Sequence, residues 1–368
     1  MFDHLPPEVQ FAFLLARSAP SGAAAVGLWE EVVQQADAAG CDVEFRMQAR
    51  LAVVREAVMG AKQYDRALTP FAVVLGEADR DPEAEWVDWH SLLWKYKWLA
   101  DSLADYLAFP VERVMSVLDD FAARCEAHGF SPRPAENYRA NTLWMLGDEA
   151  AAGEAFARFE AAPRDSLSDC HACEASRTVT HAVRLGDDAG AVDRAAPLLN
   201  GCLSCAEEPE RTHSELLAPL LRLGRDEDAA EQHRLGLNAL NRFPHFTWCA
   251  ARHFLYLART GAAKEVPALL KRTADAVGGA SDDNRREYLS AAGVALERLS
   301  GNSDRRRVMR LPTDFPIEEF ENPVRPSELG AMFTAAADDL ASQFDARNGN
   351  DAVSRRQAAS RAFATEGR

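Results

Sequence analysis

Four of the seven cysteines fall into two identical spacings, Cys170-His171-Ala172-Cys173 and Cys202-Leu203-Ser204-Cys205, with 28 residues between them. Two residues between cysteines let both sulfurs reach one ion. Four thiolates complete a tetrahedral zinc site with no position left open for substrate. The spacing therefore predicts a structural Zn2+ held by Cys170, Cys173, Cys202 and Cys205. The same pairs also suit a dithiol–disulfide couple, so a redox- or zinc-responsive regulatory sensor stands beside the structural reading. His171 and His213 are possible substitute ligands. His171, inside a Cys-x-x-Cys loop, suits a solvent-facing position better, and the four-cysteine set is retained.

The elements that must position these sulfurs are helices. Ser168 and Asp169 are good N-caps for a helix running to Leu185. Gly186-Asp187-Asp188 turns the chain, and a second helix returns from about Ala189 to Leu199, with Pro197 near its end. Asn200 and Gly201 break it, and Pro209 can open the next helix at its first turn. With one helix up and the next down, both cysteine pairs come to the same end of the helical array.

The turn is one of a series. Leu146-Gly147-Asp148, Leu185-Gly186-Asp187, Leu223-Gly224-Arg225 and Thr260-Gly261-Ala262 place glycines 39, 38 and 37 residues apart. Glycine ending one helix and a small residue early in the next suit a tight helical hairpin. Weaker rungs fall at Gly22, Gly60, Phe109 and Gly301, and the interval from Gly60 to Phe109 carries an insertion. Helix formers dominate and no alternating strand pattern appears.

With Gln63-Tyr64-Asp65-Arg66-Ala67 and Gly224-Arg225-Asp226-Glu227-Asp228-Ala229-Ala230, this pattern resembles the tetratricopeptide-repeat (TPR) family. The period is longer than the family's ~34 residues, and its Trp and Pro signposts are mostly missing. The resemblance implies an all-α, right-handed α-solenoid of about seven to eight helix-turn-helix repeats over residues 1–303, with the zinc staple at 170–205. It also implies a groove lined by first helices. Asn137, Asn141 and Trp144, with Arg177 and Arg211 from the next two first helices, would then meet a peptide through amide and guanidinium hydrogen bonds.

Three further constellations carry chemistry-bearing residue types. His245, Cys249 and His253 recur every four residues and would share one helical face, as packing residues or as a second metal site. Trp86, Trp89, Trp94, Tyr96, Trp98 and Tyr106 crowd the insertion, as a thick core or as an aromatic binding surface. Arg305, Arg306, Arg307 and Arg310 form the one compact basic run.

Beyond the repeats, Pro312, Pro316, Pro323 and Pro326 predict an extended strap over 304–326, with an acidic-aromatic patch Phe315-Pro316-Ile317-Glu318-Glu319-Phe320. A helix is expected over 327–346 and a frayed or disordered tail over 347–368.

Hydrophobic residues make up 47% of the chain, enough for a real core. The net charge of -16 repels phosphate backbones and argues against nucleic-acid binding. No apolar run reaches the ~18 residues of a membrane span. Met1-Phe2-Asp3-His4 lacks the basic-then-apolar order of a signal peptide, so a cytoplasmic chain with reduced cysteines is expected. No Walker loop, dinucleotide fingerprint, Gly-x-Ser-x-Gly or His-Glu-x-x-His occurs. Acidic pairs such as Asp119-Asp120 are adjacent and do not face each other on a helix. The expectation is a non-enzymatic scaffold or adaptor for a protein or peptide, the other reading besides the sensor being an accessory subunit of an enzyme.

Overall fold

The structure, a computed structural model, describes residues 5–317 and 319–366. The Met1–His4 segment and Glu318 of the acidic-aromatic patch lie outside the described residues. The chain is all-α and divides into two compact units, Met1–Ser168 and Asp169–Arg368.

The first unit contains α1 (Pro7–Ser18), α2 (Ala23–Ala38), α3 (Val43–Arg55), α4 (Tyr64–Arg80), α5 (Trp89–Ser102), α6 (Val111–Ala127), α7 (Arg133–Leu146) and α8 (Glu149–Ala161). Consecutive helices pack as pairs, α1 on α2, α3 on α4 and α7 on α8. Val53, Phe71, Leu93, Leu99, Phe121 and Tyr138 are buried in its core. Five of the six aromatic residues of the insertion, Trp86, Trp89, Trp94, Tyr96 and Trp98, pack on or into that core, and Tyr106 lies edge-on to Phe109. Tyr96 is buried and donates to Asp120 Oδ2 at 2.7 Å, and the Trp94 ring lies 3.2 Å beneath the ammonium of fully buried Lys97.

The second unit contains α9 (His171–Arg184), α10 (Asp188–Leu199), α11 (Glu210–Glu215), α12 (Leu217–Arg222), α13 (Asp226–Arg242), α14 (Thr247–Thr260), α15 (Val266–Thr273), α16 (Asp282–Asn302), α17 (Pro326–Asn348) and α18 (Ala352–Thr365). Leu198, Leu217, Phe254, Leu289 and Phe333 lie in its core.

The four main glycine rungs are realised as helix ends. Gly147, Gly186, Gly224 and Gly261 all have positive φ, between 71° and 92°, where a Cβ would be strained. Asp148 and Asp187 then cap the following helices, accepting from the backbone N–H of Ala151 and Gly190. The weaker rungs differ. Gly301 lies inside the last turn of α16, and Gly60 inside a short π-helical stretch, Glu56–Ala61, where Lys62 takes the left-handed conformation instead.

Among the described residues of 303–325 no helix forms. One antiparallel bridge joins Arg307 to Val324, and Phe315 is buried between Tyr288 and Phe333. In place of a frayed or disordered tail, Ala352–Thr365 is a helix packed on α14, α16 and α17.

Helices α16 and α17 approach closely through two glycines. A Cβ on Gly293 would stand 2.6 Å from Thr334 Oγ1 and 3.1 Å from the Gly330 carbonyl oxygen. Gly293→Val is therefore expected to lower stability by about 1–3 kcal/mol, through overpacking, measurable as a reduced urea midpoint. Among the described residues no helix is long and apolar enough to cross a membrane.

Candidate metal centre

Cys170 is itself the N-cap of α9. Its Sγ accepts the backbone N–H of Cys173 at 3.3 Å, so the helix starts one to two residues later than the Ser168 or Asp169 caps would place it. Sulfur replaces the usual oxygen of a capping side chain, and the positive end of the helix dipole lies on it. The second pair lies in the connection between α10 and α11. Leu203 N–H donates to the Pro197 carbonyl at 2.8 Å and Cys205 N–H to the Glu208 carbonyl at 3.1 Å, which folds residues 202–208 back upon themselves.

The result brings three of the four predicted ligands together. The sulfurs of Cys170, Cys173 and Cys205 all lie within 4.8 Å of one another, and those of Cys173 and Cys205 are 3.6 Å apart. Zinc–sulfur bonds of about 2.3 Å at tetrahedral angles put sulfurs ~3.8 Å apart. The donor set fits a thiophilic cation. Cys202 is exposed, its N–H donates to Asn200 Oδ1 at 3.1 Å, and its sulfur is not in the group of three.

A buried ion pair supports the sulfurs. The Glu208 side chain is 0% exposed and accepts from Arg211 Nε at 2.8 Å, from Thr212 Oγ1 at 2.7 Å and from Thr212 N–H at 3.2 Å. Arg211, thus fixed, points Nη2 at Cys173 Sγ, 3.6 Å away. Burial pushes the Cys173 thiol up, and the Arg211 charge works against that rise. Burial also raises Cys205. Two thiols drawn into a poorly solvated corner hold their protons unless a positive charge joins them. A divalent cation bonded to the sulfurs supplies that charge and displaces the protons.

The other predicted site residues are dispersed. His171 is exposed on the first turn of α9, and His213 is buried against Gln232, with 2.6 Å from Nδ1 to Oε1. Asn137 is buried within the first unit. Asn141 Nδ2 donates to Asp101 Oδ1 at 2.9 Å, and Trp144 is half-buried. Arg177 and Arg211 belong to the second unit, and Arg211 faces the sulfurs rather than an open surface. His245 precedes α14 and so lies off its regular face, while Cys249 and His253 are buried in it.

The role of Arg211 escaped the sequence reading. The signal was present as Glu207-Glu208 three and four residues before Arg211, a spacing that pairs charges across one helical turn.

His253 has the partner that its sequence neighbours did not suggest. Its Nδ1 lies 2.8 Å from Nδ1 of His233, so one ring donates and the other accepts. The His233 ring stacks on Tyr256 at 4.2 Å, and Gly236 leaves room for the His253 ring where a Cβ would come within 2.7 Å of Nε2.

Comparison of the chain with family models and with curated proteins gives no match.

Proposed function

We propose that this chain is a non-catalytic helical scaffold that binds another protein or a peptide, with its second unit stapled by one structural zinc ion. Cys170, Cys173 and Cys205 are three of the ligands, and Cys202 completes the set by turning its side chain inward. The observation that carries the zinc is the convergence of three sulfurs from the α9 N-terminus and the loop before α11. Four thiolates leave no coordination site for substrate, so the metal orders the fold rather than performing chemistry. Support for the scaffold is the repeated helix pairing closed by left-handed glycines, which together resemble a TPR-like solenoid.

A second reading, a redox sensor, draws on one distance. The Cys173 and Cys205 sulfurs, 3.6 Å apart, are placed so that, once metal leaves, a peroxide-class oxidant taking two electrons would join the two thiols as a disulfide, their two protons passing to water. Affinity purification from native lysate, comparing wild type with Cys205→Ser, tests the scaffold. Wild type should retain specific partners and the variant should lose some of them. Retention of no protein above control would oppose the scaffold. Partner capture governed by oxidant rather than by metal would favour the sensor.

A further inference from the structure

In the first unit an open trough runs between α4 and the start of α6. Both helices pack on α5, and the ion pair of Arg124 on α6 with Asp79 on α4, at 2.7 Å, spans the two and fixes their spacing. The trough measures about 510 Å3. Leu68, Ala72, Val73 and Gly76 line it from α4, and Phe109 and Arg113 from the segment that opens α6. Val73 is 41% exposed, and Ala72 and Gly76 are exposed as well. The opposite face of α4 is the one that enters the core, through Ala67, Phe71, Val74 and Leu75. The trough face is thus apolar and lacks a partner of its own.

One charge of the trough is uncompensated. Arg80 pairs with Glu77 one turn before it, and Asp79 is taken by Arg124. Arg113 is exposed, and its guanidinium has no ion-pair or hydrogen-bond partner among the described residues. It stands in the first turn of α6, where the helix dipole adds positive potential, and the neighbouring Glu112 does not line the trough. A chain whose net charge is -16 therefore presents a free cation at the edge of an apolar surface.

We infer that this trough takes an acidic peptide segment of a partner protein, which lays a bulky apolar side chain against Val73 and Phe109 and sets a carboxylate on Arg113. The inference rests on the scaffold reading and gives it a surface. An open trough suits a peptide, because a small ligand needs most of its own surface enclosed. Burial of the apolar anchor supplies affinity, and the guanidinium, which accepts a carboxylate on its planar fork, selects the sign of the neighbouring charge. The sulfur cluster belongs to the second unit and takes no part.

Selection from a displayed library of random peptides on the full-length protein supplies the probes, and fluorescence polarisation measures their affinity. Enriched peptides should combine an acidic residue with a leucine, isoleucine or aromatic residue. A Cβ at Gly76 meets nothing, so Gly76→Phe fills the trough without disturbing α4 and should weaken binding about tenfold or more. Arg113→Glu should do the same by inverting the charge. Gly27→Phe, at an equally open and exposed glycine of α2, should leave binding unchanged. Circular dichroism establishes that each variant is folded, and Arg113→Glu decides the matter should Gly76→Phe fail to fold. Enrichment of basic peptides, or binding unaltered in both variants, overturns the trough and leaves the scaffold reading standing, since a peptide is then held elsewhere. Enrichment of no peptide overturns the trough as well, and the lysate comparison then decides the scaffold reading by itself. Self-association of the protein that is lost in Gly76→Phe, or saturable binding of dodecanoate where no peptide binds, overturns the peptide as occupant.

Discussion

Chelation of the metal should lower the unfolding midpoint of the protein, and Cys173→Ser should do the same without chelator. The cause is local. Cys173 and Cys205 are partly buried, and burial raises both thiols. Arg211 directs its charge at Cys173 from a rigid ion pair with Glu208. With the cation gone, the two sulfurs lose their bonds and Arg211 faces a neutral thiol. A ligand that binds only the folded chain stabilises it by about 4 kcal/mol when its free concentration is a thousand times its dissociation constant. A loss of that order is expected on chelation. Cys202→Ser should cost less, because that sulfur must first turn inward. Urea titrations with and without chelator measure the effect, and hydrogen exchange should locate it at the first turn of α9 and residues 202–212. Midpoints unmoved by both chelator and Cys173→Ser would leave the sulfur cluster without a structural role.

Acid should destabilise the second unit through the His233–His253 pair. Both rings are buried, and neither Nε2 has a hydrogen-bond partner. Desolvation lowers His233 to about 4. His253 is held well below its usual value, by desolvation first and then by the charges of His233, His213, Arg272 and Arg252. In the unfolded chain both imidazoles take up protons near 6.5. Between that pH and about 4 the unfolded state binds more protons, so stability is complete above 6.5 and falls as pH falls. For His233 alone the full loss is about 3 kcal/mol. Protonation of the cysteines would also release a zinc ion bound by them, so the comparison must be between proteins. The His233→Gln, His253→Gln double variant should show a shallower decline of stability between pH 7 and 5 than wild type. Equal slopes would assign acid sensitivity to the metal site alone.

How far the sequence could be read followed from the kind of interaction involved. Gly147, Gly186, Gly224 and Gly261 were legible because a left-handed helix end has few chemical solutions, and glycine is the commonest. Cys170, Cys173 and Cys205 were legible because close spacing lets the sulfurs of one pair meet and the helical hairpin returned the second pair to the first, although Cys202, at the same spacing from Cys205, stays outside the group. Gly60 and Gly301 misled, since glycine is also tolerated inside helices, and at Gly301 an added Cβ would meet nothing. At Gly60 an added Cβ would strike Ser21 and Gly22.

The docking of helix α18 was not legible because, beside the small buried Ala352, Val353 and Ala364, polar contacts fix it. Gln357, 5% exposed, receives Arg286 Nη1 at 3.1 Å and donates to Asp338 Oδ1 at 2.8 Å, and Arg361 donates to Ser290 Oγ at 2.8 Å. Hydrophobic periodicity carries no trace of such contacts.

The central claim is that the cysteines hold one zinc ion per chain. Elemental analysis of protein purified without added metal, followed by cobalt substitution, tests it most directly. The account predicts about one zinc per chain in wild type, little in Cys173→Ser, and in the cobalt form the intense sulfur-to-metal charge-transfer absorption of a tetrahedral thiolate site. Metal-free protein with the thiols of Cys170, Cys173, Cys202 and Cys205 all titratable, unchanged in stability when zinc is supplied, would contradict it.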